Sequence, residues 1–203
     1  MSESGARRVW QRMLSGRRLD LIDPSPVDVE IADIAHGLAR VARWNGQTFG
    51  PEIFSVAQHS LLVEALFGAG APAPPARMRL AALLHDAPEY VIGDMISPFK
   101  AAIGGDYRRI EARLQQAIHI RFGLPAAPAP ELVKRIKAAD RVSAYMEATA
   151  LAGFAVAEAR VLFGAPDLPV AGFASYLEPM RPGDVEAHFL ARFAELDAAA
   201  ARP

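Results

Sequence analysis

The chain of 203 residues carries 22 basic and 23 acidic side chains, a formal net charge of −1, which excludes the strongly basic balance of a general nucleic-acid binder. It has no cysteine, so disulfides and thiolate metal sites are excluded and His, Asp and Glu are the strong metal ligands left. Its 52% hydrophobic content, dominated by Ala and Leu with four Tyr and two Trp, fills one core and leans to helix, so an all-α single domain is expected.

Residues 1–28 read as an N-terminal arm: a basic segment with Trp10 and Met13 leads to Asp23-Pro-Ser-Pro26, whose prolines forbid a continuous helix. No apolar leader follows the start, and nowhere do about 18 uncharged apolar residues run together, so a cytoplasmic protein is expected. Residues 29–203 read as the helical domain. From Val29, the positions Ile31, Ile34, Ala35, Leu38, Val41 and Ala42 follow helical spacing up to Asn45-Gly46. His36, Arg40 and Arg43 then share another face.

A second helix opens at Pro51 or Ile53, and its stripe of Val56, His59, Val63 and Leu66 points an imidazole inward. A buried histidine is either a hydrogen-bonded core residue or a metal ligand offered to the interior. After the loop Gly68 to Pro75, an apolar run ends in Leu84-His-Asp-Ala-Pro-Glu-Tyr90. His85 and Asp86 lie on neighbouring sides of one turn and can chelate one cation if other helices supply further ligands; alone, such a doublet more often serves helix-end hydrogen bonding. Pro98 breaks any continuing helix and leaves Asp94 and Ser97 on a loop beside the doublet.

A helix from Tyr107 to Phe122 follows, and then one from Glu131 to Phe154 whose inward stripe contains Asp140 and Glu147. Burying an unpaired carboxylate costs several kcal/mol, so each needs a cation, an arginine or a histidine as partner. Turns at Phe163 to Pro169 and Glu178 to Gly183 precede a last helix that packs Val185, Phe189, Phe193 and Leu196.

His59, His85, Asp86 and Asp140 thus come from three helices, at inward or terminal positions. This set, with Val56-Ala-Gln-His-Ser60 and Leu84-His-Asp-Ala-Pro-Glu-Tyr90 around it, resembles the HD-domain metal-dependent phosphohydrolases over roughly residues 29–154. Arg43-Trp44, Glu89, Asp94 and Ser97 look similar to the 5′-deoxynucleotidase branch of that superfamily, although the flanks of Trp44 and the N-terminal arm depart from it.

The resemblance implies a phosphomonoesterase that acts on (deoxy)nucleoside 5′-monophosphates through a metal-activated water. It implies phosphate held by Arg43, the nucleoside near Trp44, the sugar met by Asp94 with Ser97 nearby, and Asp86 and Glu89 as the catalytic carboxylates, Glu89 positioning the water. One divalent ion is expected among His59, His85, Asp86 and Asp140; nitrogen and oxygen donors suit Mn²⁺, Co²⁺, Fe²⁺, Zn²⁺ or Mg²⁺. His36 reads as supporting the site, and His119 and His188 as surface or packing residues, which leaves the site mononuclear. The partners expected are a small-molecule nucleotide, no nucleic-acid polymer and no membrane, and a homodimer is compatible with the chain. A nucleotide pyrophosphate, alarmone or cyclic-nucleotide phosphohydrolase, or a nucleotide-sensing domain without turnover, stays open as an alternative.

Overall fold

The computed structural model describes residues 8–96, 99 and 105–201. Strands β1 (Trp10–Arg12) and β2 (Arg18–Asp20) pair antiparallel, with Trp10 opposite Asp20. Gly16 closes the turn between them at φ +90°, a conformation other residues adopt only at a cost. The hairpin is fastened to the body: Leu19 is fully buried, the Ser15 backbone N–H donates to Asp33 at 3.0 Å, and Arg17 pairs with Glu30 at 2.7 Å. Of the residues expected as an arm, the hairpin over 10–20 therefore forms part of the packed unit.

Helix α1 (Ile31–Leu38) is shorter than its apolar periodicity predicts. Its end is set by tertiary bonding, because the Arg43 N–H donates to Phe54 O, the Val56 N–H donates to Val41 O, and Ala42 bridges to Ser55. Those bonds draw residues 41–43 out of the helix, overriding local propensity. Arg43–Gly46 then forms a 3₁₀ turn in which Trp44 and Asn45 adopt left-handed φ values of 56° and 51°.

Helix α2 (Val56–Gly68) starts where the Ser55 hydroxyl accepts the Gln58 N–H, later than the Pro51 or Ile53 expected. It is buried nearly all round, which marks it as the central element of the domain. Helix α3 (Ala76–Leu83) packs on α2, and α4 (Glu89–Ile92) packs on α1. The α1–α4 approach depends on Gly37, where a Cβ would stand 2.8 Å from Tyr90. Helices α5 (Gly105–Arg121) and α6 (Pro130–Ala150) follow, and α6 lies against α2.

Helix α7 (Val156–Phe163) and a 3₁₀ segment (Val170–Leu177) lead to α8 (Pro182–Ala200), which buries Val185, Phe189, Phe193 and Leu196 as its apolar stripe predicts. Buried Glu64 of α2 accepts from Arg79 of α3 at 2.6 Å and from Arg192 of α8 at 2.9 Å, joining three helices. Among the described residues the fold is all-α apart from the hairpin and the Ala42–Ser55 bridge. Among the described residues no helix is long and apolar enough to cross a membrane.

Candidate metal centre

His59 sits on the fully buried face of α2, where its exposure is 0%. Its Nδ1 lies 2.5 Å from Glu147 Oε1, which assigns a proton to Nδ1 and turns Nε2 the other way. Nε2 makes no hydrogen bond, although Asp140 Oδ1 stands 3.3 Å from it and Asp86 Oδ2 3.4 Å. His85 repeats the arrangement: its Nδ1 donates to Ala82 O at 2.9 Å, and its buried Nε2 is without a hydrogen-bond partner, 3.3 Å from Asp86 Oδ2.

Two buried ring nitrogens left without a hydrogen-bond partner beside carboxylates form a place that a cation would satisfy. The ligand atoms of His59, His85 and Asp140 all lie within 4.8 Å of one another, a spacing one cation can bridge, and this group could hold a metal ion. Asp86 adds its carboxylate to the same cluster by the distances above. The local chain explains the geometry. Helix α3 stops at Leu83, and residues 84–88 continue as tight turns, with the Ala87 N–H donating to Leu84 O and the Glu89 N–H to Asp86 O, so His85 and Asp86 swing toward α2 and α6.

Glu147 is the hub behind His59 and is fully buried. Its Oε1 also accepts from Ser143 Oγ at 2.7 Å, and its Oε2 accepts from Trp44 Nε1 at 2.9 Å and Arg43 Nε at 3.4 Å. Burial pushes the Glu147 carboxyl up, but His59 and Arg43 outweigh it and hold it well below the usual carboxylate range. Burial and the nearby Arg43 lower His59, yet Glu147, Asp140 and Asp86 carry it well above the ordinary imidazole range. Asp86 and Asp140 are likewise raised by burial and more strongly lowered by the two imidazoles. The cluster thus concentrates negative charge at the two Nε2 atoms, the condition a cation site needs.

The other expected site residues divide. Arg43 is engaged by Glu147 and, through Nη1, by Asp94 at 3.1 Å, and only 14% of its side chain is exposed. Asp94 therefore faces an arginine in this structure. Trp44 packs its ring against Phe154 and Phe163 at 5.6 and 5.9 Å. Ser97 lies outside the described residues. Glu89, buried at the start of α4, lines a cavity of about 350 Å³ together with His85, Asp86 and Asp140.

This cavity is a groove between α5 and α6 with the His85-Asp86 turn at its end. Arg108, Glu111, Gln115 and His119 form a stripe on the α5 wall, and Val133, Ile136, Lys137 and Asp140 one on the α6 wall. Sequence pattern does not single out Arg108 or Lys137, since each lies on a charged helix face that looks merely solvated until α5 and α6 meet. His36 does not support the site, because α1 ends before the face it was expected to share with Arg43: with Arg40 it contacts Glu186 of α8. His119 is a packing residue, bonded to Pro125 O at 2.9 Å and to Gln115, and His188 is exposed.

No family model matches the chain. It is 62% identical over 188 residues to an uncharacterized protein of Rhodobacter capsulatus, an alignment covering 92% of this chain and 94% of that protein. It is 30% identical over 169 residues to the uncharacterized protein YfdR of Escherichia coli, covering 83% and 85% respectively. With so much of each chain aligned, this protein belongs to the family that the Rhodobacter and Escherichia proteins represent.

Proposed function

We propose that the protein is a metal-dependent phosphohydrolase of the HD type, a phosphomonoesterase for (deoxy)nucleoside 5′-monophosphates. One observation carries the reading: His59 and His85 present buried Nε2 atoms, neither with a hydrogen-bond partner, to the carboxylates of Asp86 and Asp140 at the end of an open groove. The donors fit a divalent ion, with His59, His85, Asp86 and Asp140 as the residues that would hold it. Such an ion supplies a Lewis acid for the phosphoryl group and lowers the pKa of a water from about 15.7 toward 7.

The residues do the rest. Glu147 keeps the His59 proton on Nδ1, so that Nε2 stays available as a donor. The Ala82 carbonyl does the same for His85. Glu89, one turn beyond the doublet, lines the same cavity and in this reading would orient the attacking water and accept its proton.

The test is phosphate release from nucleoside monophosphates, nucleoside triphosphates and a cyclic nucleotide, each with Mn²⁺, Co²⁺, Fe²⁺, Zn²⁺ and Mg²⁺. Release from monophosphates is expected, with bound metal and activity both lost in His59→Ala and Asp140→Ala. Glu89→Gln should keep its metal and lose turnover by about 10²–10⁴-fold. No release from any ester sinks the hydrolytic reading, and full metal retention in both ligand variants sinks the centre.

A further inference from the structure

We propose that Arg108 and Lys137 form the anion-recognition pair of the α5–α6 groove and take the non-bridging oxygens of a phosphate group. The assignment rests on the phosphohydrolase reading and deepens it. Arg108 lies on the α5 wall and Lys137 on the α6 wall, one turn before Asp140, so a ligand in the groove has a cation on each side and the candidate metal centre at its end.

The charge of the groove argues for this pairing. The carboxylates of Asp86 and Asp140 line it beside the candidate metal centre, and they would repel a phosphate dianion. A divalent ion together with Arg108 and Lys137 offsets them. Arg43 is not placed to do this, because its guanidinium is bonded to Asp94 and Glu147 and it is absent from the described wall of the groove. The two cations are complementary, since Arg presents a planar fork to two oxygens and Lys a mobile point charge that can follow a third. A volume of about 350 Å³ sits at the small end of ligand pockets and suits one compact ester.

The test is calorimetric titration of inorganic phosphate into Mn²⁺-loaded wild type, the Arg108→Gln/Lys137→Gln double variant and Lys134→Gln. Lys134 is an exposed α6 lysine outside the described groove wall. Both variants exchange surface cations for polar side chains, and circular dichroism checks the fold. The expected result is phosphate binding weakened at least about tenfold in the double variant, with manganese stoichiometry unchanged and Lys134→Gln like wild type. Equal affinity in double variant and wild type, an equal loss in Lys134→Gln, or no phosphate binding by wild type overturns the proposal. Phosphate binding that depends on the pair, in a protein that releases phosphate from no ester, upholds the anion site and removes the hydrolytic reading alone.

Discussion

At the scale of single residues, Glu147 has the largest leverage. It accepts from His59, Ser143, Trp44 and Arg43 in a fully buried setting, so its charge is matched on every side that these groups occupy. Exchanging it for Gln keeps the shape but lets the amide present either a donor or an acceptor to His59 Nδ1, which loosens the choice of tautomer. Outer carboxylates of this kind typically contribute about 10–100-fold to metal affinity. Glu147→Gln is therefore expected to weaken Mn²⁺ or Zn²⁺ binding within that range in a competition titration. Nitrogen NMR should show His59 redistributing its proton between Nδ1 and Nε2. Unchanged affinity with an unchanged tautomer would leave Glu147 as a packing group only. The same network explains the left-handed Trp44: its strained turn holds the indole N–H and the Arg43 guanidinium on one carboxylate.

At the scale of elements, the approach of α1 to α4 is a steric condition with a measurable cost. A methyl at position 37 would lie 2.8 Å from both Cβ and O of Tyr90, and neither backbone nor Cβ can swing away as a flexible side-chain tip can. Gly37→Ala normally favours a helix, since Ala has the higher propensity. Overpacking of this kind costs about 1–3 kcal/mol, which exceeds that gain of about 1 kcal/mol. A lower urea midpoint with an unaltered slope is the expected outcome, and a higher midpoint would show that α4 can shift. Because α4 follows directly on the His85-Asp86 turn and begins with Glu89, such a shift would also be read at the centre.

Across the whole molecule, the candidate centre ties together three elements: α2 through His59, the turn after α3 through His85 and Asp86, and α6 through Asp140. A metal ion that binds only the folded state stabilises it by about 2.7 kcal/mol at a concentration 100 times Kd. Adding Mn²⁺ or Zn²⁺ to chelator-treated protein should raise the melting temperature, and His59→Ala should abolish the rise. Imidazoles must be unprotonated to ligate, so protons compete with metal, and the rise should shrink as pH falls. A rise that is equal in His59→Ala would place the stabilising metal elsewhere.

Local pattern carries some of this architecture and long-range pairing carries the rest. The Ala- and Leu-rich composition specifies helix, the stripe through Val56, His59, Val63 and Leu66 turns an imidazole inward, and the rule against unpaired buried carboxylates demands a partner for Glu147. These follow from the chain alone because helical periodicity reports which side of an element leaves water. The partner itself does not. His59 and Glu147 are 88 residues apart, and only the packing of α6 on α2 brings them to 2.5 Å. Packing likewise ends α1 at Leu38 by hydrogen bonds to the segment before α2, turns Arg43 toward Glu147 and Asp94, folds residues 10–20 into a hairpin that buries Leu19, and lines one groove with Arg108 and Lys137. The physical reason is common to all four: a contact made across elements leaves no periodic trace in the sequence around either partner, so only the tertiary structure decides it.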